Sequence, residues 1–99
     1  MIISITHKGL RQFWENDDPS LLPTAYIEKI RRILYLLNHQ SPLRELQLLR
    51  RYRLHRLTGN LEDYWSLHIT PNYRIIFRIV DDDVHLVNFL DYHNKKSKL

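Results

Sequence analysis

No cysteine occurs among the 99 residues, so disulfides, thiolate nucleophiles and zinc sites built on sulfur are excluded. Long apolar runs are missing too. The opening stretch MIISITHKGL holds no apolar run fit for a signal peptide, and no segment approaches the ~20 residues of a membrane span. A cytoplasmic protein with no membrane partner is the expectation. Acid is scarce where base is dense: between Arg44 and Arg56 the arginines Arg44, Arg50, Arg51, Arg53 and Arg56 meet one acid, Glu45. The whole chain sets 15 Lys plus Arg against 11 Asp plus Glu, a net charge of +4, and its pI is near 9.6. Such a balance attracts polyanions or acidic proteins at long range. Arginine forks grip phosphate oxygens two at a time and stack on bases, although a solvated charged face is the plain reading of any basic run.

What is present suffices for one core. With 43% hydrophobic and 26% charged residues, residues 1–99 read as a single domain. Ile2 to Ile5 suit a first strand. Thr6 is placed to cap a helix over HKGLRQFWEN, whose Leu10, Phe13 and Trp14 make one apolar stripe. Pro23 opens a second helix, PTAYIEKIRRILYLLN, with Tyr26, Ile27, Ile30, Ile33, Leu34 and Leu37 on one side. A short helical turn follows through Leu43, Leu46 and Leu48. RYRLHRLTG then alternates as an edge strand would, and Gly59 with Asn60 turns the chain.

The stretch from Tyr64 to His93 reads as an antiparallel meander. Trp65, Leu67 and Ile69 share one face of its first strand, Tyr73, Ile75, Phe77 and Ile79 one face of the next, and Val84 to Leu90 form the last. The turns fall at Pro71–Asn72 and at the aspartates Asp81, Asp82 and Asp83. An α+β fold results, with an N-terminal strand and a two-helix hairpin packed on one face of a mainly antiparallel sheet of about four to five strands. The other face, left open, carries Arg74 and Arg78 and is a reasonable seat for a phosphodiester.

HKGL at His7–Leu10, LHRLTG at Leu54–Gly59, YWSLHI at Tyr64–Ile69, NYRIIF at Asn72–Phe77 and LDYH at Leu90–His93 occur in that order. Together they closely resemble the HigB (host inhibition of growth, plasmid-maintenance killer) toxins of the RelE superfamily. The resemblance spans His7 to His93. It implies a RelE-like fold and a ribosome-dependent endoribonuclease that cuts messenger RNA during translation and inhibits growth. It also implies a HigA-type helix-turn-helix antitoxin as partner, operator DNA being met only through the toxin–antitoxin complex. His55, Arg74, Asp91, Tyr92 and His93 match the family's catalytic positions. Where relatives often read LHPLKG, this chain has Arg56 and Thr58, so a lysine contact at Thr58 does not transfer. Arg50, Arg51, Arg53, Arg56, Arg78 and Lys8 are the candidate contacts to RNA or ribosome.

The chemistry needs neither metal nor other cofactor. RNA carries its own nucleophile, the 2′-hydroxyl, so cleavage asks for a base near that oxygen, an acid near the departing 5′-oxygen and a cation on the phosphorane. Histidine, with a pKa of about 6.5, serves either proton role near neutrality. His55 and His93 are therefore a candidate pair, Arg74 a charge stabiliser, Asp91 an orienting group or base, and Tyr92 a hydrogen-bond donor or stacking platform. Which histidine is acid and which is base stays open. His7, His39, His68 and His85 are read as ordinary surface residues. Two other functions compete: a ParE-like toxin that binds DNA gyrase, and a noncatalytic RNA-binding module.

Overall fold

A computed structural model describes residues 1–39 and 42–91. Its elements are α1 (Lys8–Asn16), α2 (Ile27–Leu37), α3 (Pro42–Gln47), β1 (His55–Arg56), β2 (Trp65–His68), β3 (Tyr73–Val80) and β4 (Asp83–Asp91). Single 3-10 turns occupy Thr24–Tyr26, Arg50–Tyr52 and Gly59–Leu61. The four strands form one antiparallel meander in the order β1-β2-β3-β4. Strand alternation sends Leu67, Ile75, Phe77, Val84 and Val87 to one face, where they meet Leu10, Phe13, Ile30, Ile33, Leu34, Leu37 and Leu46 of the helices in one core. Burying each such side chain stabilises the fold by about 1.5–3 kcal/mol. The α+β expectation therefore holds, with helices on one face only.

Turn chemistry sets the strand boundaries. Asp81 and Asp82 both take positive φ, 52° and 67°, as the two-residue turn between Val80 and its partner Asp83 requires. Aspartate tolerates that left-handed backbone better than most residues. Between β2 and β3, Thr70 Oγ1 accepts from the backbone N–H groups of Asn72 and Tyr73, at 3.1 and 3.0 Å.

Three local expectations need correction. The N-terminal strand reduces to two parallel bridges, Ile2 to Val84 and Ile5 to Val87. Between them β4 carries an extra residue: Ile76 pairs with Asn88 and Arg78 with His85, while Leu86 adopts φ 56°. Its N–H turns to Ser4 Oγ at 2.9 Å instead of joining a ladder. The cap of α1 is His7, not Thr6; its Nδ1 accepts from the Leu10 N–H at 3.1 Å. Finally, the basic run is no continuous strand. Tyr52 is 1% exposed, its burial holds the preceding 3-10 turn against the core, and Arg53 at φ 48° reverses the chain before β1.

The His7 cap also explains Gly9. A Cβ there would lie 3.0 Å from His7 Cε1 and 3.1 Å from Leu21 Cβ, so the ring that caps the helix occupies the space a side chain would need. Burial lowers the His7 pKa, and only the neutral ring can accept from Leu10. The unfolded chain takes up the proton more readily, so this cap is intact above about pH 6.5 and its stabilisation fades as pH falls below that value. In urea denaturation at pH 7.5, His7→Ala should lose about 1 kcal/mol. Gly9→Ala should fail to deliver the roughly 1 kcal/mol gain that helix propensity alone would give.

Candidate active site

The sheet face away from the core is built by the same register that fills the core. Ser66 pairs with His55 on one side and Ile76 on the other, and His68 pairs with Arg74. Paired residues project to the same side, so His55, Ser66, His68, Arg74 and Ile76 share a face. The imidazoles of His55 and His68 meet edge to face with centroids 5.8 Å apart and planes at 70°. A cleft of about 470 Å³ opens beside them, lined by Lys29, Arg51, Arg53, His68, Ile69, Thr70, Pro71 and Arg74.

Each cation arrives from a different element. Lys29 on α2 reaches across to donate to the Ile69 carbonyl, and its Nζ stands 5.9 Å from the Tyr52 ring centre. Desolvation, then the charge of Arg51, lowers the Lys29 pKa. Arg51 lies over the Tyr52 ring at 5.2 Å, so two cations gather at the buried tyrosine. Arg74 Nη2 donates to the Pro71 carbonyl at 3.2 Å, which holds the guanidinium at the turn.

The two histidines differ in chemistry. His55 is exposed on its two-residue strand, and its Nδ1 lies 2.7 Å from the Arg53 carbonyl. A carbonyl only accepts, so Nδ1 carries the proton and Nε2 keeps a lone pair free to take one. The left-handed turn at Arg53 thus sets the tautomer of His55. His68 is half-buried, and its pKa falls to about 4, chiefly through desolvation and then through Arg74, His55, Arg53 and Lys29. It is neutral at pH 7.

Of the catalytic candidates, Arg74 lines this cleft, His55 reaches it through its contact with the His68 ring, and Asp91 ends β4 opposite Tyr73, one position beyond the Arg74–Leu90 pair. Tyr92 and His93 lie outside the described residues. Among the basic candidates, Arg51 and Arg53 line the cleft. Arg50 and Lys8 are exposed elsewhere on their elements. Arg56 stacks 5.3 Å over Trp65 and donates from Nε and Nη2 to the Glu62 carbonyl, while Arg78 pairs with Asp63 at 3.8 Å. Two cleft residues escaped the sequence reading, His68 and Lys29. The signal for His68 was its polar side of the β2 alternation, directly across from Arg74; Lys29 sits on the polar side of α2 and carries no such mark.

A helix-covered antiparallel meander with a cationic, histidine-bearing cleft on its open face defines a RelE-like toxin architecture. YafQ from E. coli strain BL21(DE3) shares this fold at TM-score 0.54 with 14% identity, covering 95% of this chain and 98% of YafQ. A conserved hypothetical protein of Helicobacter pylori does so at TM-score 0.52 with 13% identity, covering 92% of each chain. The chain belongs to the HigB-like toxins, RelE-like toxins of type II toxin–antitoxin systems, whose family model matches residues 3–93. It is 34% identical over 93 residues to Endoribonuclease HigB of Proteus vulgaris, covering 94% of this chain and all of that protein. To Toxin HigB-1 of Vibrio cholerae it is 32% identical over 94 residues, covering 94% and 98%. As a type II toxin it has an antitoxin for a partner.

The burial of the His68 imidazole can be read by titration. Followed by NMR, His68 should titrate near pH 4, and Arg74→Gln should move it upward without restoring 6.5, because desolvation remains the larger cause. Its pKa is depressed in the folded chain, so its neutral form stabilises the fold above 6.5, and this contribution is lost between 6.5 and about 4. Thermal midpoints of wild type should therefore drop across that window more than those of His68→Gln.

Proposed function

We propose that this toxin is a ribosome-dependent endoribonuclease that cuts messenger RNA by metal-independent transesterification in the cytoplasm, under the control of a HigA-type antitoxin. The observation that carries the reading is the edge-to-face pair of His55 and His68 beside a cleft lined by Lys29, Arg51, Arg53 and Arg74. The name of the Proteus vulgaris relative, Endoribonuclease HigB, supports the same chemistry. The antitoxin's DNA contacts are its own, and the toxin meets operator DNA only within the complex.

His55 Nε2 takes the proton of the 2′-hydroxyl. That oxygen attacks phosphorus, the P–O2′ bond forms, and the P–O5′ bond breaks, leaving a 2′,3′-cyclic phosphate and a 5′-hydroxyl. His93 returns a proton to the departing oxygen, with Asp91 and Tyr92 in the supporting roles that the family resemblance implies. Arg74 stabilises the charge on the phosphorane, a kind of contact commonly worth about 3–4 kcal/mol. His68, neutral in the empty cleft, hydrogen-bonds the phosphate. A bound phosphodiester offsets the cations around it, so its pKa rises on substrate binding.

Cleavage of an mRNA on programmed ribosomes tests this directly. His55→Gln and His93→Gln should each slow cutting by about 10²- to 10⁴-fold while the variants still sediment with ribosomes. Full growth arrest by both variants would overturn the nuclease mechanism and favour a toxin that acts by binding alone.

Binding offers a second check. Arg51→Glu with Arg53→Glu should weaken ribosome association and flatten its dependence on salt, since each lost phosphate contact removes counterion release of about 0.7 per charge on single-stranded RNA. An unaltered salt slope would assign these arginines to another surface.

A further inference from the structure

Next to the cationic cleft, on the same sheet face, lies a second hollow of about 240 Å³ that the cleavage chemistry does not use. Its floor is Ile76, one strand beyond Ser66 and two beyond His55 in the same row. Leu90, on its wall, is the strand partner of Arg74. Leu61 and Tyr64, from the segment joining β1 to β2, form the opposite wall. Leu90 of the hollow and Arg74 of the cleft thus face each other across one strand spacing of about 4.8 Å, close to the reach from a phosphate to its own base.

The chemistry of the hollow differs from that of the cleft. No charged side chain lines it, Ile76 is 4% exposed, and Tyr64 offers an aromatic surface. Two polar groups mark its rim. Asn88 Oδ1 accepts from the Phe89 N–H at 2.9 Å, which leaves Nδ2 and its two hydrogens as donors. Thr6 Oγ1 donates to the Val87 carbonyl at 3.2 Å, which leaves its lone pairs as acceptors. A mainly apolar hollow with one donor and one acceptor among its lining groups suits a heterocyclic base. The volume falls below the range of about 300–1,000 Å³ typical of drug-sized pockets, so one base fits and a longer apolar segment does not.

We propose that the hollow formed by Thr6, Leu61, Tyr64, Ile76, Asn88 and Leu90 is a nucleobase subsite, which seats one base of the RNA strand beside the phosphate held in the cationic cleft. The Asn88 carboxamide reads an acceptor on the base edge, and Thr6 reads a donor. The role of the subsite in choosing the cut rests on the ribonuclease reading, whereas base binding itself does not.

Titrating the full chain with nucleoside 3′-monophosphates and, separately, with inorganic phosphate tests occupancy. The nucleotides should shift the Asn88 side-chain amide and the methyl groups of Ile76 and Leu90 in NMR spectra, and phosphate alone should shift only residues of the cleft. If nucleotides leave Asn88, Ile76 and Leu90 unmoved, the subsite is wrong, even where an antitoxin moves them. Sequencing the ends of ribosome-bound RNA fragments tests the reading of the base. Asn88→Asp replaces the Nδ2 donor by an acceptor and should alter the preference at one position beside the cut by about tenfold, with an unchanged thermal midpoint. An unaltered preference would overturn base reading by Asn88. Nucleotide shifts in a chain that cuts no RNA would retain the subsite and discard the nuclease.

Discussion

The facing pair Leu67 and Ile75 sets the geometry on which the site depends. Both are fully buried and lie opposite each other on β2 and β3. A slip of one residue would drive each into the open face and expose it, a loss of about 1.5–3 kcal/mol per side chain. The hydrophobic side of the sheet therefore dictates the polar side. With Leu67 against Ile75, His68 can only face Arg74, Ser66 can only face Ile76, and His55 follows through its pairing with Ser66. The reactive face inherits its order from a core it never touches.

Like charges gathered at one cleft have a predictable consequence. Lys29, Arg51, Arg53 and Arg74 repel one another, and α2, the 3-10 turn and β3 must hold them in place. Tyr52 contributes, buried with both Lys29 and Arg51 near its ring. Burial first, and then this field of cations, makes His68 surrender its proton, which is why it is neutral at a pH where a free imidazole is partly charged. A charged phosphodiester offsets the charge of these cations. The cleft is electrostatically incomplete when empty, and its self-repulsion favours a polyanion as occupant.

Strongly alternating segments were legible from the residues alone. Tyr73 to Val80 is a strand as expected, the aspartate turn falls at the expected residues, and the helix stripes through Leu10 and Phe13 and through Ile30, Ile33, Leu34 and Leu37 are core. Failures came where a tertiary contact overrode a local pattern. The alternation of RYRLHRL suggested a strand, but one buried side chain, Tyr52, converted most of it into a turn. Thr6 looked like a helix cap by type, yet the space above Gly9 let the next residue's imidazole do the work. His68 was passed over because polar residues on an open strand face are ordinary, and only the cross-strand partner and the approach of α2 make this one special. Five short motifs in register carried the family across despite these local errors, because a motif reports spacing that local periodicity cannot.

Attraction and discrimination fall to different residues in this arrangement. Guanidinium and ammonium groups recognise phosphate wherever it occurs, so the cleft draws any polyanion, RNA or an acidic stretch of protein, without telling one from another. Selectivity must come from groups whose value depends on orientation. On the proposed mechanism His55 is such a group, since a proton held on Nδ1 by the Arg53 carbonyl leaves the Nε2 lone pair to a hydroxyl presented along it. A 2′-hydroxyl adjoining a bound phosphate meets that demand, and a protein carboxylate does not. The backbone turn at Arg53, in a conformation uncommon for a side-chain-bearing residue, therefore contributes twice: its side chain adds to the indiscriminate charge, and its carbonyl holds the His55 tautomer that the proposed cleavage uses.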